Sequence, residues 1–342
     1  MANIIIDSFC NLKCPYCFAN EVIAKNKDLI FLEQFEHILD FVIHSNEKRV
    51  GIIGGEPLLH PQFKELCELV IKKGKGDFFA VVYTNGILLD KYLKILSHRR
   101  FRMLINVNSP GDIGEDNFKK LVKNLDEAFL SYYMDEKITL GVNLYNKDQN
   151  LKFFYDLVDR YQGHIKGIRT SLSIPQDKSK GAFALFKEMI PLAKELLKEM
   201  NKRHIGVLFD CNQIPLCFID EELAKLMFES ESYSGRPYLT GNCRSGCVPV
   251  IDIDQRGNAI RCFAFSEFEK VNIDDFENTQ EIISYFKYNI DRILRNNPLG
   301  ECKDCHEFKC QLCYGGCLSF RLDLFGEKNE WNVKTKNKKN CR

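Results

Sequence analysis

The chain has 342 residues, 48 basic and 47 acidic, with a formal net charge of +1 and 45% hydrophobic residues. That balance leaves no bulk cationic surface for nucleic acid, and no apolar run reaches the roughly 20 residues of a membrane span. No basic, cleavable signal segment opens the chain, so the 15 cysteines belong to a reducing, cytoplasmic setting. Cysteine there ordinarily serves metal binding or catalysis, not disulfides.

In chain order, β-rich runs at 3–7, 49–54, 78–84, 102–108, 137–144 and 167–174 alternate with helical patterns near 31–45, 61–74, 89–98, 114–131 and 149–162. In "FLEQFEHILDFVI" apolar residues recur at spacings of three and four, which marks one helix face. Six such units predict an α/β fold with a parallel sheet and right-handed crossovers. The strands read as apolar runs more than alternating ones, as expected when both faces are covered. Six units are too few for a closed eight-unit barrel, which leaves a partial barrel or an open sheet. Residues 176–203 form a charged helix that Pro191 is expected to end or kink. Beyond 204 strands shorten and Gly and Cys become frequent. The expected division is a core at 1–203, a bridge at 204–240 and a small Cys-rich domain at 241–342 with a β-hairpin and short helices.

The first cysteines are Cys10, Cys14 and Cys17, in "SFCNLKCPYCFAN". Thiolates favour soft or borderline metals. A structural zinc site takes four protein ligands, and no fourth Cys or His is near. Three thiolates on a tight loop can hold three corners of a [4Fe–4S] cluster and leave one iron open. The loop follows the first strand directly, and the carboxyl ends of parallel strands form the ligand face of such folds.

The spacing CxxxCxΦC, with Tyr16 before the last cysteine, resembles the radical S-adenosylmethionine (radical SAM) superfamily. The resemblance implies a partial (β/α)6 TIM-like barrel. It also implies SAM chelated on the open iron and cleaved reductively to a 5′-deoxyadenosyl radical that takes a hydrogen from substrate. "GGEP" (Gly54, Gly55, Glu56, Pro57) ends the second strand, where the family's motif contacts the amino group of SAM. Glycines there also let backbone approach a ligand closely. "YTNG", with Asn85, ends the third strand, and its plain reading is an Asn-Gly turn. Asn106, Asn108 and Ser109 end the fourth and are candidates for the SAM ribose, although "NVNSPG" lacks the Asp of the family's "SLDG". Asn143 and Arg169 are further candidates, and a structural role is the other reading of each.

The second cysteine group is Cys243, Cys247 and Cys262, then Cys302, Cys305, Cys310, Cys313 and Cys317, and finally Cys341. "VIDIDQRGNAIRC" reads as a hairpin with Gly257 at its turn. Spacing alone leaves two zinc sites open. The array resembles the SPASM extension of radical SAM proteins, which implies two auxiliary [4Fe–4S] clusters and three in all. By that resemblance Cys243, Cys247, Cys262 and Cys317 hold one, and Cys302, Cys305, Cys313 and Cys341 the other. Cys310 is an alternative to Cys313, which is favoured because "CYGGC" keeps the family's spacing. Full ligation implies electron transfer or a structural role for these clusters. Cys67 reads as a helix-core residue. Cys211 and Cys217 read as buried structural cysteines, or else as a catalytic or substrate-contacting thiol with Asp210 beside them as proton acceptor.

Family relatives modify peptides, mature sulfatases or oxidise small molecules. Phe263 stands where sulfatase maturases usually carry an Asp. The first reading is hydrogen abstraction from a peptide or protein side chain, giving an oxidised or cross-linked product. The others are the same chemistry on a small metabolite, and a non-catalytic electron carrier. The implied partners are the peptide or small-molecule substrate and a reductase such as flavodoxin or ferredoxin. The chain starts inside its first strand, so a leader-dependent peptide would need a separate leader-binding protein.

Overall fold

The computed structural model describes residues 2–17, 28–173, 182–209, 214–234, 247–266 and 268–325. Asp210, Cys211, Cys243 and Cys341 lie outside the described residues. Seven strands run parallel in sequence order: β1 (Ala2–Ile5), β2 (Arg49–Ile53), β3 (Phe79–Thr84), β4 (Phe101–Asn106), β5 (Ile138–Leu144), β6 (Gly167–Leu172) and β7 (Gly206–Phe209). The six expected strands stand close to their predicted bounds, and β7 adds a seventh from a segment that lacked strand texture.

Helices α1 (Leu32–His44), α2 (Phe63–Lys73), α3 (Glu115–Leu130), α4 (Lys152–Tyr161), α5 (Ala182–Lys202) and α6 (Glu221–Ser234) connect or follow these strands. Their apolar faces are periodic. Phe35, Ile38, Leu39 and Val42 are buried on α1, and Phe154, Leu157, Val158 and Tyr161 on α4, the spacing of one helix face. They meet the buried strand positions Ile4, Val50, Ile52, Ala80, Val82, Met103, Ile105 and Leu140 in one hydrophobic core. Truncating one such core residue to Ala costs about 2–5 kcal/mol.

Two expectations are corrected. Pro191 does not end α5, which runs from Ala182 to Lys202 with the proline inside. Leu185, Phe186, Met189, Ile190, Leu192, Ala193, Leu196 and Leu197 flank it in the core, and that burial outweighs the roughly 3 kcal/mol cost of an interior proline. The strands are also not evenly covered. Burial alternates along β3 and β6, because the face turned from the helices is the half-open inner wall of a partial barrel. That wall carries polar side chains. Asn106 pairs with Gly141, which pairs with Arg169, and Asn143 pairs with Ser171.

The C-terminal region joins the same sheet. β8 (Ile251–Ile253) lies parallel to β1 on its free edge. It turns at Gly257, φ +80°, into antiparallel β9 (Asn258–Ile260), and β10 (Val271–Asn272) completes ten strands. The expected hairpin is therefore present, and it extends the core sheet. Short helices follow, including α7 (Thr279–Phe286). Among the described residues no helix is long and apolar enough to cross a membrane.

Candidate functional site

The cysteine loop leaves β1 at its carboxyl end and crosses the ends of β2 and β3. Its path explains the two glycines of GGEP. A Cβ on Gly54 would stand 2.4 Å from Asp7 Oδ1, and one on Gly55 would stand 2.1 Å from the Phe9 carbonyl oxygen. What approaches these glycines is the cysteine loop itself. The Gly55 amide donates to Asp7 Oδ1 at 2.9 Å and the Glu56 amide to the Phe9 carbonyl at 2.6 Å.

Glu56 is buried, and its carboxylate is fully engaged. Oε1 accepts from the Leu58 amide (3.1 Å) and Thr84 Oγ1 (2.6 Å), and Oε2 from the Asn85 amide (2.7 Å). Burial raises it to about 7 against those bonds. Asn85 Nδ2 in turn donates to Asn11 Oδ1 at 2.8 Å, which ties the end of β3 to the cysteine loop. Pro57 is buried at the first position of a single turn and presents no polar group. Any ligand contact by GGEP therefore falls to its backbone.

Tyr16 anchors the other side of the loop. Its hydroxyl donates to Asn108 Oδ1 and accepts from Asn143, and its ring packs on Tyr145 at 5.3 Å. Asn143 Oδ1 also accepts from Ser171 Oγ, and Asn108 Nδ2 reaches the Asn106 carbonyl. The ends of β4, β5 and β6 are thus joined to the cysteine loop. Ser109 has a structural task, capping the turn Pro110–Ile113 by accepting from the Asp112 amide. Arg169 stands over the Tyr83 ring on the inner wall.

None of the three loop cysteines forms a disulfide among the described residues. Burial pushes Cys10 up to about 11 and Cys14 to about 12, reinforced by the charges of Glu56, Cys17 and Asp7 on Cys10 and of Cys10 and Cys17 on Cys14. Mutual repulsion among neighbouring thiolates would be relieved by a cationic inorganic core. Among the described residues no three His, Cys, Asp or Glu side chains converge tightly enough for a single metal ion. Three thiols on one short loop suit three corners of a cluster, which spans more space than a single ion. Asp7 adds an orphaned group. It is 1% exposed, burial raises it to about 8, and Oδ2 has no hydrogen-bond partner. It lines a cavity of about 290 Å³, with Gly54 and Gly55 on one side and Asp254, Asn258 and Phe263 on the other. A larger space, about 600 Å³, lies among residues of α3 and α4. It takes in only Ser109 of the candidate residues, and that hydroxyl is already spent on capping.

The C-terminal cysteines form two groups. Cys247 and Cys317 share one proton: the Cys317 thiol donates to Cys247, lowering Cys247 to about 6 and raising Cys317. Cys262 joins them, raised to about 12 by burial. Arg261, fully buried, donates to Cys262 Sγ at 3.7 Å and to the Cys247 carbonyl at 3.0 Å, and pairs with buried Asp291. In the second group, burial raises Cys302 to about 11, with the charges of Arg321, Cys313, Cys305 and Cys217 acting on it. Gly315 leaves room for Cys302 Sγ, 2.7 Å from where a Cβ would sit. Arg321 is fully buried, and its Nε and Nη1 have no hydrogen-bond partner. Such unpaired donors beside thiols fit the sulfurs of a cluster. Cys310 is exposed, 3.5 Å from His306 Nε2.

Cys67 is buried on α2, as expected. Cys217 is exposed and not buried, because the turn Leu216–Phe218 packs through Phe218 instead. Asp252, on β8, was not anticipated. It is buried, raised to about 7 by burial, and accepts from Asn3 Nδ2 at 2.6 Å and from the Phe263 amide. Its sequence signal is a carboxylate at an alternate position of an apolar strand, "VIDID".

Comparison with known proteins follows the same outline. Residues 4–133 match the Radical SAM superfamily model. A cysteine-type anaerobic sulfatase-maturating enzyme of Clostridium perfringens (strain 13 / Type A) is 26% identical, over 92% of this chain and 87% of the relative. A GTP 3′,8-cyclase of Alkaliphilus oremlandii is 30% identical over 41% of this chain and 43% of its own length. Among solved structures, native anSMEcpe with bound AdoMet superimposes with a TM-score of 0.67 at 19% identity, covering 98% of this chain and 94% of that one. Streptococcus suis SuiB bound to precursor peptide SuiA gives 0.62 at 17% identity, covering 96% and 73%. At such identities these two likenesses establish a shared fold.

Proposed function

The chain belongs to the radical SAM superfamily and carries a SPASM-type cysteine extension, and from that premise we propose that it oxidises or cross-links a side chain of a peptide or protein. The observation that carries the reading is the three-thiol loop locked by backbone hydrogen bonds onto GGEP at the carboxyl ends of β1 and β2. Cys10, Cys14 and Cys17 would hold a [4Fe–4S] cluster with one iron left for SAM. Cys247, Cys262 and Cys317, with Cys243, would hold a second, and Cys302, Cys305 and Cys313 a third, for which the family pattern supplies Cys341. When bound, these groups supply one-electron reduction of SAM, a radical able to take hydrogen from carbon, and an acceptor for the electron left on substrate.

The chain's own residues position and shield. Backbone carbonyls of Gly54 and Gly55 would meet an ammonium, since the Glu56 carboxylate is spent internally. Tyr16, Asn108 and Asn143 hold the loop in register with the inner wall. Asn106 and Arg169 offer that wall polar contacts for a substrate. Ile5, Ile53 and Ile260, packed with Tyr83 and Phe263, form an apolar floor that excludes water. Asp252 is a buried carboxyl near Cys262, held by Asn3 Nδ2 and the Phe263 amide and raised to about 7 by burial.

A peptide substrate is favoured because the likeness to the sulfatase maturase spans core and extension, whereas the likeness to the cyclase stops within the core. The reading needs an electron donor such as flavodoxin or ferredoxin. The reconstituted protein with SAM and dithionite is expected to yield 5′-deoxyadenosine, and Cys14→Ala to yield none. Absence of product from the wild type, or product from the variant, defeats the reading. Deuterium carried into 5′-deoxyadenosine from deuterated peptides, and not from deuterated GTP, supports the peptide class. The reverse supports a small-molecule substrate.

A further inference from the structure

The connection from β7 to α6 carries Cys217 on the single turn Leu216–Phe218, which follows Pro215. Phe218 packs on Phe183 and Phe186 of α5 at 5.4 and 5.6 Å, and Phe186 packs on Phe320 at 6.0 Å. The CYGGC loop lies against the same aromatic wall. A Cβ on Gly316 would stand 3.0 Å from the Phe186 ring and 3.6 Å from Pro215. The turn and the loop are therefore held together by packing, independently of any metal.

The Cys217 thiol faces Cys313, Cys305 and Cys302 across this packed contact. Glu307 also faces Cys217 and accepts from Cys305 Sγ at 3.1 Å. Behind these thiols Arg321 presents two buried, unpartnered nitrogens, and Cys302, Cys317 and Cys313 act on its charge. Four thiolates around a [4Fe–4S] core carry net negative charge, which a buried guanidinium offsets. Cys310, exposed like Cys217, stands instead 3.5 Å from His306 Nε2.

We propose that Cys217 is a ligand of the Cys302–Cys305–Cys313 site, completing its four thiolates from the core side of the molecule in the place that the family pattern gives to Cys341. The proposal rests on the reading of that site as an iron–sulfur centre. Ligation releases the Cys217 thiol proton to solvent and forms one Fe–S bond. It clamps the β7–α6 connection to the C-terminal extension, so that filling the cluster site and docking the two regions become one event.

The test is alkylation with iodoacetamide under anaerobic conditions, read by mass spectrometry on the reconstituted full chain before and after iron chelation. Cys217 and Cys313 should both be protected until the iron is removed, with Cys310 labelled throughout. Cys217→Ser should lose about a third of the bound iron or convert one cluster to a three-iron form seen by electron paramagnetic resonance, and Cys341→Ser should lose none. Labelling of Cys217 while Cys313 stays protected overturns the proposal and leaves the cluster reading standing. So does full iron in Cys217→Ser together with iron loss in Cys341→Ser. Labelling of Cys313 in the reconstituted chain overturns the centre itself, and the proposal with it. A circular-dichroism melt of Cys217→Ser within a few degrees of wild type excludes misfolding as the cause of iron loss.

Discussion

The two cysteine regions are built with opposite electrostatics. Around Cys10, Cys14 and Cys17 the neighbouring titratable groups that weigh most are acids, Glu56, Asp7, Asp112 and the thiols themselves. Around the C-terminal cysteines, buried arginines intervene: Arg261 beside Cys247 and Cys262, Arg321 beside Cys302, Cys313 and Cys317. A centre with three protein thiolates and an open position needs less cationic compensation than one closed by four. It also benefits from acceptors near a ligand's ammonium. A closed, buried centre has to have its charge offset from within the protein. On the proposed reading ligand count and surroundings are matched, and the difference would separate a reacting centre from centres that pass or store electrons.

Three experiments would break or sharpen that contrast. The largest effect is expected from Arg261→Met. It leaves Asp291, 1% exposed, with only the long 3.8 Å ion pair to Arg295 and should cost about 3 kcal/mol in chemical denaturation. Adding Asp291→Leu should recover most of the loss, and a double variant no more stable than the single one would show that the arginine serves packing alone. Next is Gly55→Ala, whose Cβ would collide with the Phe9 carbonyl. Displacing the cysteine loop should cost about 1–3 kcal/mol and lower iron content by about a third while the C-terminal centres stay loaded. Iron loss spread evenly over all three would mean that the regions are not independent.

The smallest effect is in pH dependence. Asp252 is raised from 3.8 to about 7, so between those values the native state keeps a proton that the unfolded chain gives up. Its contribution is complete below pH 3.8 and is lost as pH rises toward 7. Asp252→Asn should flatten that part of the stability profile of the cluster-free chain, measured by melting temperature from pH 4 to 8. An unchanged slope would place the titrating group elsewhere, Asp7 and Glu56 being the other raised carboxyls.

Much of the fold was legible because it is written in local periodicity. The i, i+3, i+4 pattern of 31–45 became α1, the six apolar runs became β1 to β6, and Gly257 marked its turn through a backbone angle that few other residues accept. β7 was missed because "GVLF" is too short to show a period, and the inner-wall alternation was hidden by apolar residues that line the cavity. Pro191 left an end or a kink open because propensity is a local quantity, and the burial around it carried the helix through to Lys202.

The sequence by itself determined where the first cysteine motif sits. Cys10, Cys14 and Cys17 lie within eight residues, so chain geometry alone keeps their thiols together whatever the rest of the molecule does. Only the tertiary structure decided how other residues serve that motif. Asn3 meets Asp252 across 249 positions and Asn85 meets Asn11 across 74. Glu56 turns its carboxylate inward to β3, and Arg261 and Arg321 are drawn into the interior among thiols. Such contacts form when packing of the whole sheet brings distant segments into one low-dielectric space, where charge and hydrogen bonding must be satisfied locally, and no spacing rule along the chain encodes which partners will meet there.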